Sequence, residues 1–285
     1  MKNLGSIPPM KVFVAVILIG CPYFASAQKL KGNDALMAQA DTLLSRQDYA
    51  GAIALYNKIT TTSESLSDEN YSLFYKRAYC FYALEQYDNA LQDVNQYLEK
   101  KPEDQAKLLR AYINQELGNH EAQLTDLNAF IEASPENIEL LQWRASVLME
   151  MERYAEAQRD IRRLLISQPG PELKGYLGLT YYYLNDPDSA LIIFDDVIAS
   201  DPDYIQPYLY AGSLALDEEA YDLALQYINA GIKKDPSNNT LLFYKGIALV
   251  ASERTDEGCR CLTKVFNAGF DDAADYLKSY CYGVD

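Results

Sequence analysis

Five prolines, Pro102, Pro135, Pro169, Pro202 and Pro236, recur at intervals of 33, 34, 33 and 34 residues, and this spacing constrains the 285-residue chain more than any other feature. A proline cannot donate to a helical hydrogen-bond ladder and biases its predecessor away from helix, so each one marks the end of an element. Laid over itself at that period, the sequence aligns RQDYAGAIALYNKITTTSES from Arg46, EQYDNALQDVNQYLEKKPED from Glu85 and GNHEAQLTDLNAFIEASPEN from Gly118. The series continues with ERYAEAQRDIRRLLISQPGP from Glu152, NDPDSALIIFDDVIASDPDY from Asn185, EAYDLALQYINAGIKKDPSN from Glu219 and a degenerate RTDEGCRCLTKVFNAGFDDA from Arg254. A repeat of this length is one supersecondary unit that cannot bury its apolar face alone, whereas a stack of such units can.

Apolar residues at three- and four-residue spacing predict two amphipathic helices per repeat. In the fourth repeat Leu140, Leu141, Val147 and Leu148 mark the first helix, and Ile161, Leu164 and Leu165 the second. Gly178, Gly212 and Gly246, 34 residues apart, fall mid-helix, where Gly costs about 1 kcal/mol relative to Ala. Their recurrence predicts that the two helices of a hairpin cross there and close only without a side chain. Residues 271–282 read as a final helix, with Asp272, Asp275 and Lys278 toward water and Ala274, Leu277 and Cys281 over the last hairpin. Asp34 is placed as the N-cap of the first helix.

These residues resemble the tetratricopeptide repeat (TPR) family, whose pattern is bulky–small–bulky on the first helix, then an aromatic, Ala, aromatic, Ala and a closing Pro. The second hairpin carries Phe74, Ala78, Phe81, Tyr87, Ala90, Val94, Tyr97 and Pro102; the sixth carries Tyr208, Gly212, Ala215, Tyr221, Ala224, Ile228, Gly231 and Pro236. In the fifth, Gly178, Tyr181, Ala190, Phe194, Val197 and Pro202 match. The resemblance implies an all-α fold, a right-handed α-solenoid of about seven TPR helical hairpins over residues 34–270, with a C-terminal capping helix in 271–285. Gln123 in the small slot, Pro187 in the aromatic turn slot, a Ser/Thr-rich linker over 60–70 and no closing Pro in the first and seventh hairpins depart from the pattern.

The resemblance also implies a non-enzymatic scaffold that receives a protein or peptide in a concave groove lined by the first helices. It places Tyr75, Tyr79, Tyr82, Tyr112, Tyr182, Tyr183 and Phe243 near or in that groove, with Trp143, Tyr176, Tyr210 and Tyr244 recurring once per repeat and shared between packing and binding. Tyrosine suits a binding surface because it offers area plus a hydroxyl at low entropy cost. The family's carboxylate clamp of Lys, Asn and Arg is absent from the matching slots, so an acidic-tail ligand is not expected. The alternative reading is a glycan-binding protein of the cell envelope that stacks sugars on the same rings.

The residue inventory excludes much else. A single His, His120, allows neither a zinc pair nor a relay, and its place at an inter-helix turn reads as packing. No phosphate loop, nucleophile elbow or metal loop is present, so no catalytic residue, metal or cofactor is expected. A net charge of -16 argues against nucleic acid and anionic lipid. Lys2 and Lys11, the apolar run 12–20 and Ala25-Ser26-Ala27 read as a signal peptide over 1–27. The mature chain would be periplasmic or envelope-associated, with no membrane insertion. A lipobox-like Leu18-Ile19-Gly20-Cys21 offers lipidation of Cys21 as the alternative, but the small-residue cleavage site favours plain secretion. Of Cys80, Cys259, Cys261 and Cys281, one disulfide from the last hairpin to the tail is compatible with the sequence, although buried free thiols are the simpler reading.

Overall fold

The computed structural model describes residues 32–62 and 70–282. The signal segment 1–27, with Cys21, lies outside the described residues, as does most of the linker. The described helices pair into seven hairpins: α1 (Asn33–Ser45) with α2 (Tyr49–Thr62), α3 (Leu73–Ala83) with α4 (Tyr87–Lys100), and α5 (Asp104–Glu116) with α6 (His120–Ala133). Then come α7 (Ile138–Glu150) with α8 (Tyr154–Ser167), α9 (Pro171–Tyr183) with α10 (Pro187–Ser200), α11 (Gln206–Asp217) with α12 (Tyr221–Lys234), and α13 (Asn239–Ala251) with α14 (Thr255–Asn267). A last helix, α15 (Ala273–Tyr280), follows. No strand occurs among the described residues. The chain forms two compact units, one ending at Leu140 and one beginning at Leu141, and each is a run of stacked helical hairpins of the α-solenoid class.

Every hairpin turns in the same way. Gln47, Glu85, Gly118, Glu152, Asn185, Glu219 and Glu253 follow the first helices with φ between 57° and 69°. Each of their N–H groups donates to the carbonyl three residues back, and the next N–H reaches five back, as Asp186 does to Tyr181 at 3.0 Å. This pair of hydrogen bonds satisfies carbonyls that a helix end leaves unpaired and forces one residue into the left-handed region. The departure at Pro187 is accommodated locally. Asp186 caps α10 by accepting the Ser189 N–H at 3.2 Å, and Pro187 takes the first helical position, where no N–H is needed.

The second helices stop as the prolines predict. Lys101, Ser134, Gln168, Asp201 and Asp235, each directly before a proline, share φ between -129° and -140° and donate to the fourth carbonyl back. The seventh hairpin lacks its proline and stops instead at Gly269, with φ of 87°.

Where the two helices of a hairpin cross, the chain uses two solutions to one slot. Gly178, Gly212 and Gly246 leave no room for a side chain: an added Cβ would lie 2.5 Å from the Phe194 ring, 2.6 Å from Ile228 and 2.7 Å from Leu262. One repeat earlier the same two positions, again 16 residues apart, hold Arg144 and Asp160, and Arg110–Asp126 and Arg77–Asp93 precede them. Each guanidinium forks onto its carboxylate through Nε and Nη2 at 2.6–2.8 Å. All three carboxylates are buried. Arg77 also donates to Asn57 and Arg110 to Asn95, so each ties three consecutive helices together. Planar bidentate pairing is the geometry Arg offers and Lys does not.

The third hairpin is the polar exception. Gln123, 0% exposed, occupies the slot held elsewhere by the fully buried Ala90, Ala157, Ala190 and Ala224. Its Oε1 and the Nδ2 of the equally buried Asn114 have no hydrogen-bond partner among the described residues.

The two ends correct the expectations in detail. Gly32, not Asp34, holds the N-cap position of α1, and Asp34 lies in the first turn of the helix. There its charge still opposes the positive end of the helix dipole. In α15 the covering residues are Ala273 and Leu277, 0% and 1% exposed, whereas Ala274 is exposed; Asp272, Asp275 and Lys278 face water. The buried face runs through Ala273, Tyr276 and Leu277, which pack with Phe243 and Phe270. Cys259 and Cys281 are joined in a disulfide, with Cα atoms 5.7 Å apart, so the free-thiol reading fails for this pair. Cys80 and Cys261 are free.

Candidate interaction surface

The predicted groove residues divide by what covers them. Tyr75 leans on Tyr97 with ring centroids 5.6 Å apart, Tyr79 meets Tyr49 edge-on at 6.1 Å, and Tyr82 lies 5.8 Å from Tyr87. All three, like Tyr112, are half-buried. Burial pushes the Tyr112 hydroxyl up to about 12. Phe243 is 8% exposed and packs between Tyr244, Phe270 and Tyr276, so its ring belongs to the core under α15. Trp143 and Tyr176 are also buried, whereas Tyr210 and Tyr244 keep partial exposure. Much of the tyrosine content is structural: Tyr56, Tyr71, Tyr97 and Tyr208 are buried with their hydroxyls donating to Asp41, the Gln96 carbonyl, Glu103 and the Pro202 carbonyl. A buried Tyr needs such a partner for its hydroxyl.

Tyr182 and Tyr183 stand in a different setting. They end α9 and line a cleft of about 260 Å³ together with Leu214, Asp217 and Glu218 from the end of α11 and Asn185 from the turn between α9 and α10. The Tyr183 ring stacks on Tyr154 at 4.5 Å with 11° between planes, and Tyr182 leans against Tyr183 at 5.1 Å. The Tyr182 hydroxyl donates to Asp217. Burial first, and then that bond to a carboxylate, push the Tyr182 hydroxyl far up. Burial and the neighbouring Tyr154 carry Tyr183 up to about 12. Both tyrosines therefore stay neutral donors at any physiological pH. The cleft sits at the hairpin tips, where first helices end.

A family model of the tetratricopeptide repeat matches residues 70–138 and 144–205. Over these residues the chain belongs to the tetratricopeptide repeat family. Solved structures similar to this TPR chain include a tetratricopeptide repeat protein from Parabacteroides merdae ATCC 43184, 18% identical over 86% of this chain and 97% of that one, with a TM-score of 0.53. Another is the C-terminal part of a TPR repeat-containing protein from Cytophaga hutchinsonii, 18% identical over 84% of this chain and 98% of that one, with a TM-score of 0.58. At such identity the likeness concerns the fold. None of the curated proteins compared with the sequence matches it.

TPR hairpins are the fold of non-catalytic scaffolds that hold proteins or peptides. No helix among the described residues is long and apolar enough to cross a membrane. Sequence reasoning singled out Tyr182 and Tyr183 but missed the acids beside them. Asp217-Glu218-Glu219 reads as a solvated helix end, and only the 35-residue offset that sets Tyr182 against Asp217 in the next repeat links the two.

Proposed function

We propose that this chain is an exported TPR scaffold that holds a protein or peptide partner against the half-buried tyrosines of its first helices. The observation that carries this reading is the open cleft at the end of α9, where two tyrosines of a first helix stand at the surface of a repeat family built for binding. The Tyr183 ring, stacked face to face on Tyr154, has one face already taken and unavailable to a sugar, which favours a protein over a glycan.

Export is supported from both ends of the chain. The lysines, apolar run and Ala25-Ser26-Ala27 of the first 27 residues have the composition of a cleavable signal. The Cys259–Cys281 bond is of a kind that persists in oxidising compartments. The mature chain, lacking Lys2 and Lys11, would hold 23 Lys and Arg against 41 Asp and Glu, a net of -18. Mass measurement of the mature N-terminus separates cleavage before Gln28 from lipidation at Cys21. The binding reading is tested by co-purification from the native envelope with Tyr79→Ala and Tyr182→Ala combined. Loss of a partner protein is expected. Unchanged protein capture, or loss only of glycan-array retention, overturns it.

A further inference from the structure

The cleft between the ends of α9 and α11 also indicates what kind of group the partner inserts. This inference rests on the protein-binding reading above and names its chemistry at one place. The cleft, at about 260 Å³, is far larger than a bare ion requires, since a water molecule occupies only about 30 Å³ in the liquid. Its walls combine two kinds of surface. Tyr182, Tyr183 and Leu214 supply ring and aliphatic contact, and Asp217 and Glu218 supply two adjacent carboxylates. Both α9 and α11 end here, so the negative ends of two helix dipoles add to the same field.

Among the described residues no Lys or Arg pairs with Asp217 or Glu218; the nearby repeats pair Lys174 with Asp196 and Lys234 with Asp203 instead. The reach of the Asp217 charge is visible in its neighbours, where after burial it helps to push the hydroxyls of Tyr182, Tyr183, Tyr244 and Tyr276 upward. The Tyr182 hydroxyl engages Asp217 and holds it in place.

The geometry points to a cationic side chain of a basic partner segment, an arginine above all, as the group this cleft receives. A guanidinium fits both surfaces: its fork donates to the carboxylates, and its methylene stem lies along Leu214 and the tyrosines. The overall charge of -16 steers a basic segment toward the protein before it docks.

The experiment is a ¹H–¹⁵N NMR titration of the chain with N-acetyl-arginine amide and with its neutral isostere, N-acetyl-citrulline amide. Saturable shifts of the Tyr183, Asn185, Asp217 and Glu218 amides are expected with the arginine probe, and binding about tenfold weaker with citrulline, the worth of one charge-assisted contact. Asp217→Asn should weaken the arginine probe by a similar factor. Glu218→Gln, at an exposed position, repeats the test should Asp217→Asn disturb the fold. Equal binding of the two probes, arginine binding unchanged by both variants, or shifts confined to other residues would overturn the inference. Loss of partner capture in the tyrosine variants with no arginine binding sinks the cleft alone. Arginine binding without any captured protein sinks the scaffold reading and leaves the cleft.

Discussion

Four of the seven hairpin turns place a Glu in the left-handed region, at Glu85, Glu152, Glu219 and Glu253, where Gly118 alone adopts it without strain. The fold demands that conformation because the double hydrogen bond ending each first helix forms only around it. An L-residue with a Cβ is disfavoured there by roughly 1–2 kcal/mol, part of which Gly gives back through its greater freedom in the unfolded chain. Glu152→Gly should therefore stabilise the protein by about 1 kcal/mol, seen as a raised midpoint in a thermal melt. Gly118→Ala should lose about as much, and for a purely conformational reason, since a Cβ at Gly118 meets no atom within 4 Å. A lowered midpoint for Glu152→Gly would show that these glutamates make contacts that outweigh the backbone cost. None of this is legible in the sequence, where a Glu before a helix reads as ordinary polar turn.

At the scale of the element, the helix crossings show one geometric problem met by two chemistries. Arg–Asp pairs occupy the slot in the second to fourth hairpins, and Gly with Phe, Ile or Leu occupies it in the fifth to seventh. The apolar version was readable because mid-helix glycines at constant spacing are anomalous on propensity grounds. The ionic version was not, because Arg and Asp on amphipathic helices look solvated until the hairpin is closed. Breaking a buried pair by removing one partner costs roughly 3–5 kcal/mol because a buried charge is left alone. Arg144 is partly exposed, so Arg144→Gly alone should cost less, about 2–3 kcal/mol. Adding Asp160→Phe, which installs the pair found one repeat later, should recover most of that loss. A double-mutant cycle by urea unfolding measures the coupling. Additive losses would mean that the two solutions are not interchangeable. The same limit on legibility applies to α15, where the helix was readable but its register was not: the choice between Ala273 and Ala274 depends on how Phe243 and Phe270 fill the space beneath.

For the molecule as a whole, the repeat period fixed by five prolines made the architecture readable, since five of the seven hairpin ends follow from what proline and its predecessor cannot do. The binding surface was readable only in part. Tyrosine serves this chain both as core and as surface, and composition does not separate the two roles. Burial does: Phe243, Trp143 and Tyr176 are packed away, while Tyr182 and Tyr183 open onto a cleft. The acids that give that cleft its character come from the next repeat, so they become its partners only once the hairpins stack.

Partner holding at the end of α9 is tested most directly by photo-crosslinking in the native cells, with a benzoylphenylalanine placed at Tyr183 and, as a control, at Ile192 on the exposed surface of α10. A discrete protein adduct from position 183, absent at 192 and competed by an excess of the unlabelled chain, is the predicted result. A folded chain that yields no protein adduct at 183, or the same adducts at both positions, would contradict it.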